Sequence, residues 1–148
     1  ICLEQVIFAP YKSICDASVN ISQQIETAKK DKKSQATSLF TFLERGQHLE
    51  LGSMAHLLRL CNGRTAEKEH LIGALRNFIR EELNGATFLD NENVEAIGLI
   101  AKEFRNPGTH SDVLTKANAE ECRRLCIDIL QSLEPCIAEY MQAGSESN

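Results

Sequence analysis

Apolar residues recur at spacings of three and four along most of this chain, and no clean alternating run of five or more residues stands between turn signals. That period dictates helices, and an amphipathic helix must bury its apolar stripe against another element. The expected fold class is therefore all-α, an up-and-down bundle of four to five helices joined by short connections. A first long helix follows Pro10 on the stripe Ile14, Ala17, Ile21, Ile25 and Ala28, and ends in the basic segment Lys29 to Lys33. Leu39, Phe40, Phe42 and Leu43 form a short second helix stopped by Gly46. Ser53 can cap a third, with Met54, Leu57, Leu58 and Cys61 inward, and Thr65 a fourth, running from Leu71 to Leu83 before Gly85. Asp90 or Asn91 caps the next, whose inward positions are Val94, Ile97, Ile100, Ala101 and Phe104. A last helix starts at Thr115, runs through Leu133 and bends or continues past Pro135 to Tyr140.

With 148 residues, one domain is expected. Residues 1–34 form an N-terminal helical segment packing on the bundle, 35–141 the bundle itself, and 142–148 a polar, disordered tail. The chain starts at Ile1 without an initiator Met, which reads as a domain cut from, or part of, a longer cytoplasmic protein. Apolar runs extend no further than three or four residues, so no membrane span is expected. Sixteen basic against 21 acidic residues leave a net charge of −5, which excludes a protein that coats nucleic acid without sequence preference. A small local basic site remains compatible with that balance. The lysine run at 29–33 reads as a solvated helix end, with steering of RNA as its functional alternative.

The six cysteines form no Cys-x-x-Cys pair, which favours reduced thiols over a disulfide scaffold. Cys122 and Cys126 share a helix face, as two metal ligands would. They also fall on the stripe Ala119, Cys122, Cys126, Ile129 and Leu133, a core face, and no metal site or cofactor is assigned. His48 and His56 read as surface or core-edge histidines and His70 as a solvated one. No phosphate-cradling glycine loop or nucleophile elbow is present.

The residues that carry chemistry sit between the last two long helices, in Arg105-Asn106-Pro107-Gly108-Thr109-His110. At 100° per residue Arg105 lies roughly 20° beyond Val94, at the edge of the apolar stripe, where a guanidinium needs a carboxylate, a phosphate or an interface partner. Pro107-Gly108 breaks the helix and turns the chain, so the His110 imidazole can return beside Arg105. An imidazole can exchange a proton near neutrality, and a guanidinium fork matches a phosphate and the charge developing on it. Asn106 can bond the phosphate or orient the imidazole. Two readings of the pair stand: a nuclease site, or a structural arrangement in which Arg105 pairs Glu103 or Asp112 and His110 caps a turn.

An all-helical bundle with Arg, a polar residue and then His before the final helix resembles the HEPN superfamily (higher eukaryotes and prokaryotes nucleotide-binding). The resemblance covers about residues 35–140, most strongly 90–133, and the segment Leu49 to Met54 adds a weaker likeness. It implies a helical bundle that dimerises around the motif, so that two copies of Arg105 and His110 face one cleft. It further implies a metal-independent endoribonuclease leaving a 2′,3′-cyclic phosphate, in a defence or toxin–antitoxin setting. RNA is then the substrate, with an antitoxin or fused domain as partner. The catalytic residues carried over are Arg105, Asn106 and His110; Thr109 beside them, and Arg123, which falls near the inward stripe edge of the last helix and could extend a phosphate site, are auxiliary candidates. Thr109 stands where many members have a small apolar residue, and Arg123 has a surface salt bridge with Glu120 as its plainer alternative. Other members use the bundle only to dimerise or to bind a nucleotide or protein, and that non-catalytic module is the alternative function here.

Overall fold

The computed structural model describes residues 3–17, 19–30, 36–104 and 116–146, and these form an all-α helical bundle with no strand among them. Eight α-helices follow in order: α1 (Ala9–Asp16), α2 (Val19–Lys30), α3 (Thr37–Arg45), α4 (Leu51–Asn62), α5 (Thr65–Lys68), α6 (His70–Asn77), α7 (Asn91–Leu99) and α8 (Lys116–Glu146). Three π-helical turns, Glu4–Phe8, Phe78–Glu82 and Ile100–Phe104, adjoin α1, α6 and α7. No described helix is long and apolar enough to cross a membrane.

Helix α4 lies at the centre, packed against α5, α6 and α7, and α8 closes over α7 and the first π turn. The core is drawn from every region, with Ile7 and Phe8 from the first π turn, Leu57 and Leu58 from α4, Ile72 and Leu75 from α6, and Ile97 from α7. Phe8 meets Phe42 edge-on at 6.4 Å between ring centroids. Tyr11 packs on Phe78 at 5.6 Å and donates its hydroxyl hydrogen to the Leu71 carbonyl at 3.1 Å, tying α1 to α6.

Several expectations hold at their stated residues. Gly46 ends α3 in the left-handed region (φ 65°), its N–H closing on the Phe42 carbonyl. Asp90 caps α7, accepting from the Glu92 N–H at 2.7 Å.

Others are corrected. Helix does not begin after Pro10. The first π turn already precedes it, and its wide loop, with Ala9 N–H reaching back to Glu4, sits where proline's missing N–H would weaken an α-helix. The stripe from Ile14 to Ala28 is broken at Ala17. Ile14 is exposed, and the buried face of this region is Ile7, Phe8, Tyr11 and Cys15. Ser53 is not a cap: α4 starts at Leu51, with Glu50 at its N-cap.

Nor does Thr65 open one straight helix to Leu83. The chain goes extended at Glu69 between α5 and α6. On a straight helix Ala66 would point roughly 180° away from the stripe Leu71, Leu75, Ile79. The break turns Ala66 inward, and it is buried. Helix α8 runs to Glu146 with Pro135 inside it. Its buried residues are Ile129, Leu133 and Cys136, whereas Ala119 is exposed and Cys122 and Cys126 are only half-buried, so the core face begins later than the sequence stripe.

After the second π turn Asn84 takes a positive φ of 53°, and the Gly85 N–H closes on the Ile79 carbonyl at 2.8 Å. Gly85 is needed for close approach: a Cβ there would lie 2.8 Å from both Cys136 Sγ and the Ile79 carbonyl oxygen. Gly85→Ala should therefore push α8 off its seat and lower stability by about 1–3 kcal/mol in urea unfolding. Tyr11→Phe keeps the ring but loses the bond to Leu71, and should lower it by about 1 kcal/mol.

Burial holds several groups in the neutral form. It pushes the Cys61 thiol up to about 12 and those of Cys15 and Cys136 up to about 11, and it raises Tyr11 far above a free phenol. In the unfolded chain these thiols ionise near 9. Their contribution to stability is thus complete below about pH 9 and lost as pH rises toward about 12. The urea midpoint should fall across that window, and fall less steeply in Cys61→Ala.

Candidate functional site

Helix α7 leads to the candidate motif. Asp90 fixes its start, Val94 and Ile97 bury its inner face, and after Leu99 it widens into the π turn Ile100–Phe104. Arg105, Asn106, Thr109 and His110 follow directly in sequence and lie outside the described residues, as do Asp112 and Thr115. The count that sets Arg105 roughly 20° from Val94 assumes α geometry throughout. A π turn holds more residues, so that phase does not carry past Leu99.

Arg123, the auxiliary residue, is described. It is exposed on α8, and no ion pair forms at it among the described residues, so the salt bridge with Glu120 is not made. Arg59 of α4 reaches over the outer surface of α7. Its Nε stands 3.3 Å from Glu95 Oε1, and its Nη2 lies 3.1 Å from where a Cβ at Gly98 would be.

Two polar arrangements were not legible in the sequence. His48 lies in the loop before α4, not on a helix with His56, and its Nδ1 is 2.8 Å from Glu4 Oε2. When Nδ1 donates there, Nε2 is left as the acceptor, the tautomer a general base uses. His48 lines a cleft of about 180 Å³ together with Ser38, Thr41, Gln47, Glu50 and Ser53. The Thr41 hydroxyl is already turned to the Thr37 carbonyl at 3.0 Å. Forty-four positions separate Glu4 from His48, and no local pattern signals the pairing.

The second is a cleft of about 390 Å³ between α2 and the α5–α6 junction, lined by Gln23, Gln24, Thr27, Lys68, His70 and Leu71. Gln24 Oε1 is buried without a hydrogen-bond partner. A mixed polar lining of this kind admits a small polar molecule or water without selecting one by charge.

Among the described residues the cysteines form no reactive centre. Cys15, Cys61 and Cys136 are buried and held as thiols. Cys122 hydrogen-bonds to Cys126, and burial followed by that neighbour raises its pKa. Among the described residues no group of three or more His, Cys, Asp or Glu could hold a metal ion. Comparison of the chain with family models, curated proteins and solved structures finds no match.

Proposed function

We propose that this chain is a metal-independent endoribonuclease of the HEPN type, acting through Arg105, Asn106 and His110 in a composite site shared by two copies. One observation carries the reading. Arg105-Asn106 and His110 occupy the stretch of sequence between the helical segment ending at Phe104 and the last helix, starting at Lys116, of an all-α bundle. The resemblance places its motif at that same position.

The residue types suit the chemistry. His110 removes the proton from a ribose 2′-OH, whose oxygen forms a bond to the adjacent phosphorus as the bond to the 5′ oxygen breaks. The 5′ oxygen takes a proton, from an imidazole acting as acid or from water, and the products are a 2′,3′-cyclic phosphate and a 5′-hydroxyl. Arg105 holds the phosphate and meets the charge that gathers on its oxygens, and Asn106 orients the imidazole or donates to the phosphate. Thr109 adds a hydroxyl and Arg123 a second cation at the margin. A defence or toxin–antitoxin setting, with an antitoxin or fused domain as regulator, follows from the same resemblance.

A second reading, a non-catalytic dimerisation or partner-binding module, is supported by the exposed apolar side chains of α8, among them Ile127, Leu130 and Met141.

Purified protein should cut single-stranded or transfer RNA in the presence of EDTA. His110→Ala should slow cleavage by about 10²–10⁴-fold and Arg105→Ala by about 10²–10³-fold, with Asn106→Ala milder. Gel analysis of end-labelled RNA checks both the rates and the cyclic phosphate. Absence of cleavage by the unaltered protein on all these RNAs would leave the binding module as the better account.

A further inference from the structure

Helix α8 carries two faces. Ile129, Leu133 and Cys136 are buried against the rest of the chain. At 100° per residue, Arg123, Ile127, Leu130 and Glu134 lie together within roughly 60°, and the centre of their stripe is roughly 120° around the helix from the centre of that face. All four are exposed, Ile127 at 42% and Leu130 at 47%, and neither Arg123 nor Glu134 has an ion-pair partner among the described residues.

The order along this stripe is cation, apolar, apolar, anion, at spacings of four, three and four. That spacing is a palindrome and the charges are reversed about its centre. We infer that the stripe pairs with itself: a second copy of this chain packs antiparallel on α8 about a two-fold axis between Asp128 and Ile129. Arg123 then faces Glu134 of the second copy, Ile127 faces Leu130, and the symmetry repeats both contacts. A parallel pairing would set Arg123 on Arg123 and Glu134 on Glu134, so the charges select the antiparallel one. The two apolar pairs leave water together, and the flanking charges set register rather than supply most of the affinity.

This interface differs from one built around the motif. At about 1.5 Å rise per residue, the two copies of Lys116 lie roughly 40 Å apart along the paired helices. The inference therefore stands on α8 alone, whether or not the chain cuts RNA.

The test uses the full chain in sedimentation-equilibrium and light-scattering measurements, with circular dichroism as a folding control. The unaltered protein should self-associate, and more weakly as salt is raised. R123E and E134R each turn two attractions into two repulsions, and each should weaken self-association by on the order of tenfold or more. An equimolar mixture of R123E and E134R should associate again, because each chain then offers the charges that the other lacks. The double variant R123E/E134R should also recover. A monomeric unaltered protein, single reversals without effect, or failure of both the mixture and the double variant to recover would overturn the proposal. A monomeric result would assign the stripe to a different protein. Leu130→Glu, which places a charge at the centre of the stripe, gives a second route to the same dissociation and does not touch the buried face.

Discussion

Helix α4 cannot be stable on its own. Met54, Ala55, Leu57, Leu58, Leu60 and Cys61 are all buried, and they spread over roughly 220° of its circumference. A helix that apolar on so many sides has to be enclosed, and α5, α6 and α7 are the elements that enclose it. The rest of the architecture follows from covering that surface. Helix α1 is tied to α6 by the Tyr11 hydroxyl, whose neutral form the burial enforces. Helix α8 is then seated on α7, and on Gly85 through the Cys136 sulfur.

The three π turns belong to the same economy of burial. Each joins an α-helix without interrupting the helical run, and the first shifts the phase of the side chains of α1 beyond it. The first keeps Ile7 and Phe8 in the core while accommodating Pro10. The second leads to Asn84 and the tight approach at Gly85. The third stands immediately before Arg105 in sequence, and insertions of this type often accompany functional positions.

The chemistry proposed for this chain and the self-association inferred for it rest on different stretches and share only Arg123, an auxiliary cation in the first and one end of the stripe in the second. The proposed catalysis rests on residue types suited to phosphate and proton transfer, Arg105, Asn106 and His110. The inferred association rests on the outward stripe of α8, where Ile127 and Leu130 lie between Arg123 and Glu134. The net charge of −5 makes a local arginine matter more, since the chain as a whole repels an RNA backbone.

Helical class, the α3 stop at Gly46 and the α7 cap at Asp90 were legible from spacing and cap chemistry, because both act within a few residues along the chain. The order of Arg105, Asn106 and His110 is likewise a property of the sequence alone. What spacing misplaced involves contacts between distant segments. The exposure of Ile14, the break at Glu69 that turns Ala66 inward and the late start of the α8 core face all depend on which surface arrives opposite. The Glu4–His48 pair lies beyond any local pattern for the same reason. Periodicity tells a helix that it has an apolar side. Only packing decides which part of that side is covered, and on α8 it leaves Arg123, Ile127, Leu130 and Glu134 facing out.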